Sequence, residues 1–311
     1  MVVGVIALLY NATQRIEYVW QWYKLPKAFF YHEQVPITAE IEGSVASIAQ
    51  QGDQTIIQIR GDKETVSQQV PNEDIRVTEG DFVYPGDPLA TYGKWRPGIM
   101  MQGLWITIKV SLFSILFGII IGMIGGLARI SDNPALKWSA ITYVELIRGT
   151  PLLVQIFIWY FVLGTMMNEL LSAYNIKQIP PIWYGVASLA GFTGAYVTEI
   201  VRAGIQSIHR GQTEAARSLG MSYAQSMYHI ILPQAMRRIL PPLAGQFISL
   251  IKDSSLLGII AIRELTKATR EVITTTLSPF ELFFALAVLY LMITFTLSMF
   301  IQYLERRSST A

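Results

Sequence analysis

Few side chains in this chain could do chemistry, and the most telling are the adjacent Lys252 and Asp253 within an otherwise apolar run. Counted from Pro241 at about 1.5 Å per helical residue, they lie roughly half a bilayer deep. Charges at that depth cost on the order of several kcal/mol unless they are paired or face a polar cavity. Neighbours along a helix point in different directions, so the two do not simply neutralise each other. With Ser254 and Ser255 beside them they mark a polar pathway, a helix break or both, or else pairing with another helix. Glu199 and Arg202 are three residues apart and share a helical face, which fits an interfacial ion pair as well as a transport role. In Arg148-Gly149-Thr150-Pro151, the proline removes a backbone donor and disfavours helical geometry at Thr150. A kink or a helix start is expected there.

Other chemistry is excluded by what the sequence lacks. It has no cysteine, hence no disulfide framework, thiolate metal site or cysteine nucleophile. It contains no phosphate-cradling loop of the G-x-x-x-x-G-K-[S/T] type. A formal charge of +2 gives no reason to expect nucleic acid. No cofactor is expected.

The elements that must position these residues follow from composition. Of 311 residues, 52% are hydrophobic and only 15% charged, with a mean hydropathy of +0.39, which indicates an all-α polytopic membrane protein. Five stretches reach the roughly 20 apolar residues a crossing requires: 99–128, 138–167, 182–203, 239–261 and 280–303. Arg129 and Lys137, then Arg210, Arg217, Arg237 and Arg238, then Arg306 and Arg307 fall on one side, the cytoplasmic one by the positive-inside rule. Arg263, Lys267 and Arg270 point the other way, but their loop also carries Glu264 and Glu271. Residue 98 is then outside. Residues 1–31 read as an apolar signal-anchor helix and linker, because "VVGVIALLY" lacks a basic flank and a small-residue cleavage site.

Residues 32–97 differ in kind. They are rich in Asp and Glu, and "ITAEIEGSVASI", "QTIIQIRG" and "IRVTEGDFVYPGDPLATYG" alternate in the manner of short strands with Gly-Asp turns. A small extracytoplasmic β-rich domain is expected. "EGDFVYPGDPLA" resembles the barrel-sandwich halves of lipoyl- and biotinyl-type domains; it holds no acceptor lysine, so a packing or docking appendage is expected rather than a carrier. In the first span, Gly118, Gly122 and Gly126 recur every four residues and let a neighbouring helix approach closely. The third span, also dense in small residues, should be buried among helices.

The segment "EAARSLGMSYAQSMYHIILPQA", residues 214–235, interrupts the apolar pattern. Glu214 to Leu219 forms helix readily, Gly220 supplies a left-handed turn, and a second helix runs up to Pro233. Ala215 and Ala216 leave a shallow face for close approach, while Glu214 and Arg217 stay solvated. Docking and ordinary surface packing both fit.

Glu214-Ala215-Ala216, Gly220 and Ile230-x-Leu232-Pro233 resemble the signature loop of permease subunits of ATP-binding-cassette (ABC) importers. "YVELIRGTPLLVQ", "TEIVRAGIQSIHRGQTEAARSLG", "LPQA" and "LIKDSSLLG" look like the polar-amino-acid branch, typified by permeases for histidine, glutamine, glutamate and arginine. The likeness runs from about residue 98 to the carboxyl terminus and reaches "YVWQWYKLPKAFF" at 18–30; the β segment between is a departure.

The resemblance implies a five-helix type I importer permease domain over 98–311 in a bacterial inner membrane, with a cytoplasmic coupling loop at 204–240. Its coupling residues would be Glu214, Ala215, Ala216, Arg217, Gly220, Ile230, Leu232 and Pro233, with Pro233 setting the angle of return to the membrane. Arg148 to Pro151, Glu199 and Lys252 to Ser255 would be pathway or gate positions. Two ATPase subunits would bind the ATP, and a second permease subunit and an extracytoplasmic binding protein would complete the assembly. Two other readings are an ion-coupled secondary transporter or channel with no ATPase, and a membrane-tethered adaptor built around the β segment.

Overall fold

The computed structural model describes residues 17–309 except Asp53, Lys63 and Glu73, together with Thr13 and Arg15, and side chains as far as Tyr303. The expected signal-anchor run at 2–10 and the side chains of Arg306 and Arg307 lie outside the described residues. The chain divides into two units, one of residues Pro26–Gly98 and one of Met1–Leu25 with Ile99–Ala311.

The smaller unit is built of β-strands after a short helix, Leu25–Phe29, at its start. Strands β1 (Phe30–Thr38) and β6 (Pro88–Pro97) pair antiparallel from Phe30 opposite Pro97 to Thr38 opposite Pro88. The other four are β2 (Gly43–Gln51), β3 (Gln54–Arg60), β4 (Thr65–Pro71) and β5 (Phe82–Val83), in an antiparallel sheet ordered β4-β3-β2-β5. In β3, Thr55, Ile57 and Ile59 are buried while Gln54, Gln58 and Arg60 are exposed, the period-2 pattern of a strand with one wet face. Val45, Ile57, Ile59, Val70 and Leu89 build the core. Two turns repeat one device: Asp81 accepts from the Thr78 amide at 2.7 Å, and Asp87 from the Tyr84 amide at 2.8 Å. Each carries a glycine of positive φ, Gly80 at 94° and Gly86 at 100°, at the turn position where only glycine is unstrained.

The larger unit is helical. In order come α1 (Ile99–Ile130), α2 (Pro134–Arg148), α3 (Leu152–Ala173), α4 (Pro181–Gln206), α5 (Arg210–Ser218), α6 (Tyr223–Ile260), α7 (Leu265–Thr276) and α8 (Pro279–Ser309). Among the described residues four helices are long and apolar enough to cross a membrane: α1, α3, α6 and α8 as far as Tyr303. The expected span at 182–203 forms α4, whose Gly, Ala, Ser and Thr lower its hydropathy and let it sink among its neighbours. Val186, Leu189, Ala195, Val197 and Val201 on it are buried. The glycine stripe of α1 meets it directly. A Cβ on Gly118 would lie 2.9 Å from Thr193, one on Gly122 2.4 Å from Val197 and one on Gly126 2.5 Å from Val201, so two stripes of four-residue period interlock.

Two boundaries differ from the sequence expectation. The stretch 138–167 is not one span: α2 ends at Arg148, Gly149 to Pro151 breaks the chain, and α3 starts at Leu152. Nor does Pro233 end a helix. A π turn over Met227–Ile231, closed by the Leu232 amide on the Met227 carbonyl, widens the helix just before the proline, so the missing donor is absorbed and α6 continues.

Candidate functional site

The loop between α4 and α6 is a built corner. His209 caps α5, its Nδ1 accepting from the Gly211 amide at 3.1 Å. At the other end Gly220, at φ 81°, closes a Schellman motif: its amide donates to Arg217 at 3.0 Å and that of Met221 to Ala216 at 3.2 Å. Two residues later Ser222 and Gln225 form a reciprocal capping box that starts α6. Gln234 Nε2 reaches back to Gln212 at 3.2 Å, and Arg238 Nη1 donates to the Ser207 carbonyl at 2.6 Å. The corner's angle is therefore fixed at both helix ends and across them.

Its surface differs in detail from the expectation of a shallow alanine pair. Ala216 is buried against its own chain, whereas Glu214, Ala215, Arg217 and Gly220 are exposed. Ile230 and Leu232 are half-buried and Pro233 exposed. Leu219 stands 83% exposed, an apolar projection just before the corner glycine; sequence reading passed over it, although an isolated leucine before a corner glycine was its signal.

On α4 before the corner, Glu199 joins two helices. Its Oε2 lies 2.7 Å from Arg129 Nη1 at the end of α1, and its Oε1 accepts from Arg202 Nε at 2.9 Å. The ion pair foreseen within α4 thus reaches a third group. One turn earlier on α4, the Arg148 guanidinium sits 5.2 Å from the Tyr196 ring centroid. Glu199 and Arg238 also line a cleft of about 390 Å³ with Ile200, Ala203, Ser207 and Pro242.

The break before α3 is held by side chains. The Gly149 amide donates to Glu145 at 2.8 Å and the Thr150 hydroxyl to Leu146 at 2.9 Å. Pro151 is extended, with ψ 137°. Gln155, buried, donates to the Ile147 carbonyl at 2.7 Å and to Thr150 Oγ1 at 2.9 Å, stitching α2 to α3 across the gap. It closes the motif quoted from the sequence but was not read as a participant.

Lys252 and Asp253 are not brought to this cluster by any hydrogen bond or ion pair among the described residues. The α-helical part of α6 stops at Asp253 and a 3₁₀ stretch, Ser254–Ile260, follows. Ser254 is buried and donates to Ile251 at 2.7 Å; Ser255 and Asp253 are half-buried and Lys252 exposed. The structure thus has the helix break. Two fully buried carboxylates escaped the sequence reading as anything more than loop or span residues. Glu264 caps α7 by accepting from the Thr266 and Lys267 amides, each at 2.7 Å, and Glu281 accepts from the Tyr18 hydroxyl at 2.7 Å.

Residues 114–310 match the family model described as binding-protein-dependent transport system inner membrane component. The chain belongs to this family. It is 37% identical over 209 residues to the glutamine transport system permease protein GlnP of Escherichia coli K12, covering 67% of this chain and 92% of that one. The L-cystine transport system permease protein TcyB of Bacillus subtilis is 38% identical over 210 residues, 67% of this chain and 86% of its own. Among solved structures, an amino acid ABC transporter with histidines superposes with a TM-score of 0.59 at 37% identity, over 67% of this chain and 94% of that one. The MetNI methionine transporter, at 18% identity and a TM-score of 0.57, shares the fold. The chain is thus the membrane permease of an ABC importer, a translocation subunit and not a catalytic one, and the secondary-transporter reading gives way. The matched residues begin well after the β unit, at Ser114.

Proposed function

We propose that this permease imports a polar amino acid across a bacterial inner membrane, as one of two permease subunits, identical or homologous, lining the pathway. The observation that carries the substrate class is the 37% identity, over nearly the whole of each relative, to permeases and a solved transporter named for amino acids. Two ATPase subunits hydrolyse the ATP and seat on α5 and its corner, with Glu214, Ala215, Arg217 and Leu219 as the contact surface. Gly220, Ile230, Leu232 and Pro233 hold that surface at its angle to α6. An extracytoplasmic binding protein delivers the substrate. The β unit lies outside and the carboxyl terminus inside, in keeping with the arginines at 210, 217, 237 and 238.

Arg148 to Pro151, Glu199 and Lys252 to Ser255 act as pathway or gate positions. Each couples a charged or polar group to a place where the helix is broken or bridged, and such places can change conformation without unravelling a span. The test is reconstitution in proteoliposomes with a candidate ATPase and binding protein from the same organism. Uptake of a labelled polar amino acid that requires ATP and the loaded binding protein is the expected result. Uptake that follows an ion gradient without ATP would overturn it.

A further inference from the structure

We infer that the aromatic segment Tyr18–Lys24 is a foot that rests in the lipid headgroup layer at the Pro279 end of α8. The segment is clamped to that helix by polar bonds. Tyr18 and the Gln21 amide both donate to the buried Glu281 carboxylate, the first at 2.7 Å. The Ser278 hydroxyl donates to Gln21 Oε1 at 3.1 Å, and Lys24 Nζ to the Thr276 carbonyl at 2.8 Å. These bonds use up the segment's polar groups on the protein side and turn its rings outward.

The rings then continue the apolar surface of α8. The most apolar 18-residue window of α8 between Pro279 and Tyr303 has a mean hydropathy of 2.3 and is only 6% buried within the chain, and in a membrane permease such a face lies within the bilayer. Phe280 and Phe284 belong to that face, 47% and 59% exposed. Tyr18 meets Phe280 edge-on at 4.7 Å, and Trp22 meets Phe284 edge-on at 6.0 Å. Trp20 stacks on Trp22 at 5.3 Å. Trp20, Trp22 and Tyr23 remain exposed, at the level of the first turns of the span. Indole and phenol rings with an apolar body and one polar edge favour this boundary, where the ring meets acyl chain and the N–H or O–H meets ester carbonyl or water. Ring chemistry thus assigns phospholipid as the occupant, and the foot fixes how deep this end of α8 sits.

The full-length permease, reconstituted into phosphatidylcholine vesicles brominated either near the headgroup or near the chain end, tests this by tryptophan quenching. Subtracting the spectrum of the W20F/W22F variant isolates the two rings. Their emission should be quenched at least about twofold more by the shallow bromines than by the deep ones. Quenching by aqueous iodide alone would put the rings in water, and protection from both quenchers would put them under protein; either overturns the inference. Because the chain has no cysteine, Trp22→Cys gives a lone thiol for a spin label. Greater accessibility to oxygen than to a nickel chelate is the expected reading, and the reverse counts against the foot even if the double variant folds poorly.

Discussion

The amide of Gly98 donates to the carbonyl of Phe29 at 2.7 Å, so the chain leaves the β unit within one hydrogen bond of where it enters. A β unit with adjoining ends can be removed without pulling the flanks apart. Excision of residues 30–97 with a short glycine join should leave a permease that inserts, binds its ATPase and couples hydrolysis to uptake. Loss of ATPase binding in a pull-down would instead make the β unit the principal functional part.

Gly220 offers a sharper probe of the corner. A Cβ there would meet nothing within 4 Å, so any penalty comes from its φ of 81° alone. An L residue in that region costs roughly 1–2 kcal/mol, and asparagine tolerates it best. Gly220→Asn should keep most of the ATPase activity stimulated by loaded binding protein, whereas Gly220→Val should lose most of it. Equal activities would remove the corner from the coupling route.

The interlocked stripes of α1 and α4 predict a stability difference between two alanine substitutions. Gly122→Ala drives a methyl to 2.4 Å from Val197 and should cost about 1–3 kcal/mol as overpacking. Gly191→Ala, on α4 with open space around it, should be neutral or slightly stabilising by helix propensity. Thermal unfolding of the purified proteins separates them.

Much of this was legible in the sequence because its signals are local. The glycines at 118, 122 and 126, the Gly-Asp turns and the Gly220 corner each announce themselves within a few residues. What was missed depends on distant partners. Glu199 reads as a pair with Arg202 until α1 brings Arg129 to it, and Glu281 reads as an unremarkable acid at a span's edge until residues 18–21 fold onto it. Pro233 misled for a related reason: a proline predicts a helix end unless the preceding turn widens, and a π turn has no clear mark in composition. The break after Asp253 was visible as a cluster of polar residues, but its 3₁₀ form was not.

Glu199 should show non-additive energetics. Glu199→Gln leaves Arg129 and Arg202 facing a neutral amide and should lower both the melting temperature and uptake. With Arg129→Gln added, the double variant should be less damaged than the sum of the singles by about 1 kcal/mol or more, as expected for groups in direct contact. Strict additivity would mean that the 2.7 Å approach contributes nothing.

In the β unit, hydrogen bonds from the Thr78 amide and hydroxyl hold the Asp81 carboxyl below the ordinary aspartate value of 3.8, and bonds from Thr91 and then Arg76 do the same for Asp74. A depressed folded pKa contributes stability above the unfolded value, and that contribution is lost as pH falls through the folded one. Protection of the Thr78 amide from hydrogen exchange should therefore hold at neutral pH and fall off below about pH 4. Asp81→Asn should flatten this acid dependence.

The continuity of α6 has a mechanical corollary. From Ser222 to Asp253 no loop intervenes, so the corner and the break share one rod of about 46 Å at 1.5 Å per residue. Such a rod works as a lever: a tilt of about 5° at its corner end swings the far end by roughly 4 Å over that length, comparable to the width of a small polar group. Pro241 and Pro242 lie inside it, where the lost backbone bonds make helices bend. How much of a push at Gly220 arrives at Lys252 is thus governed by the stiffness of those two residues.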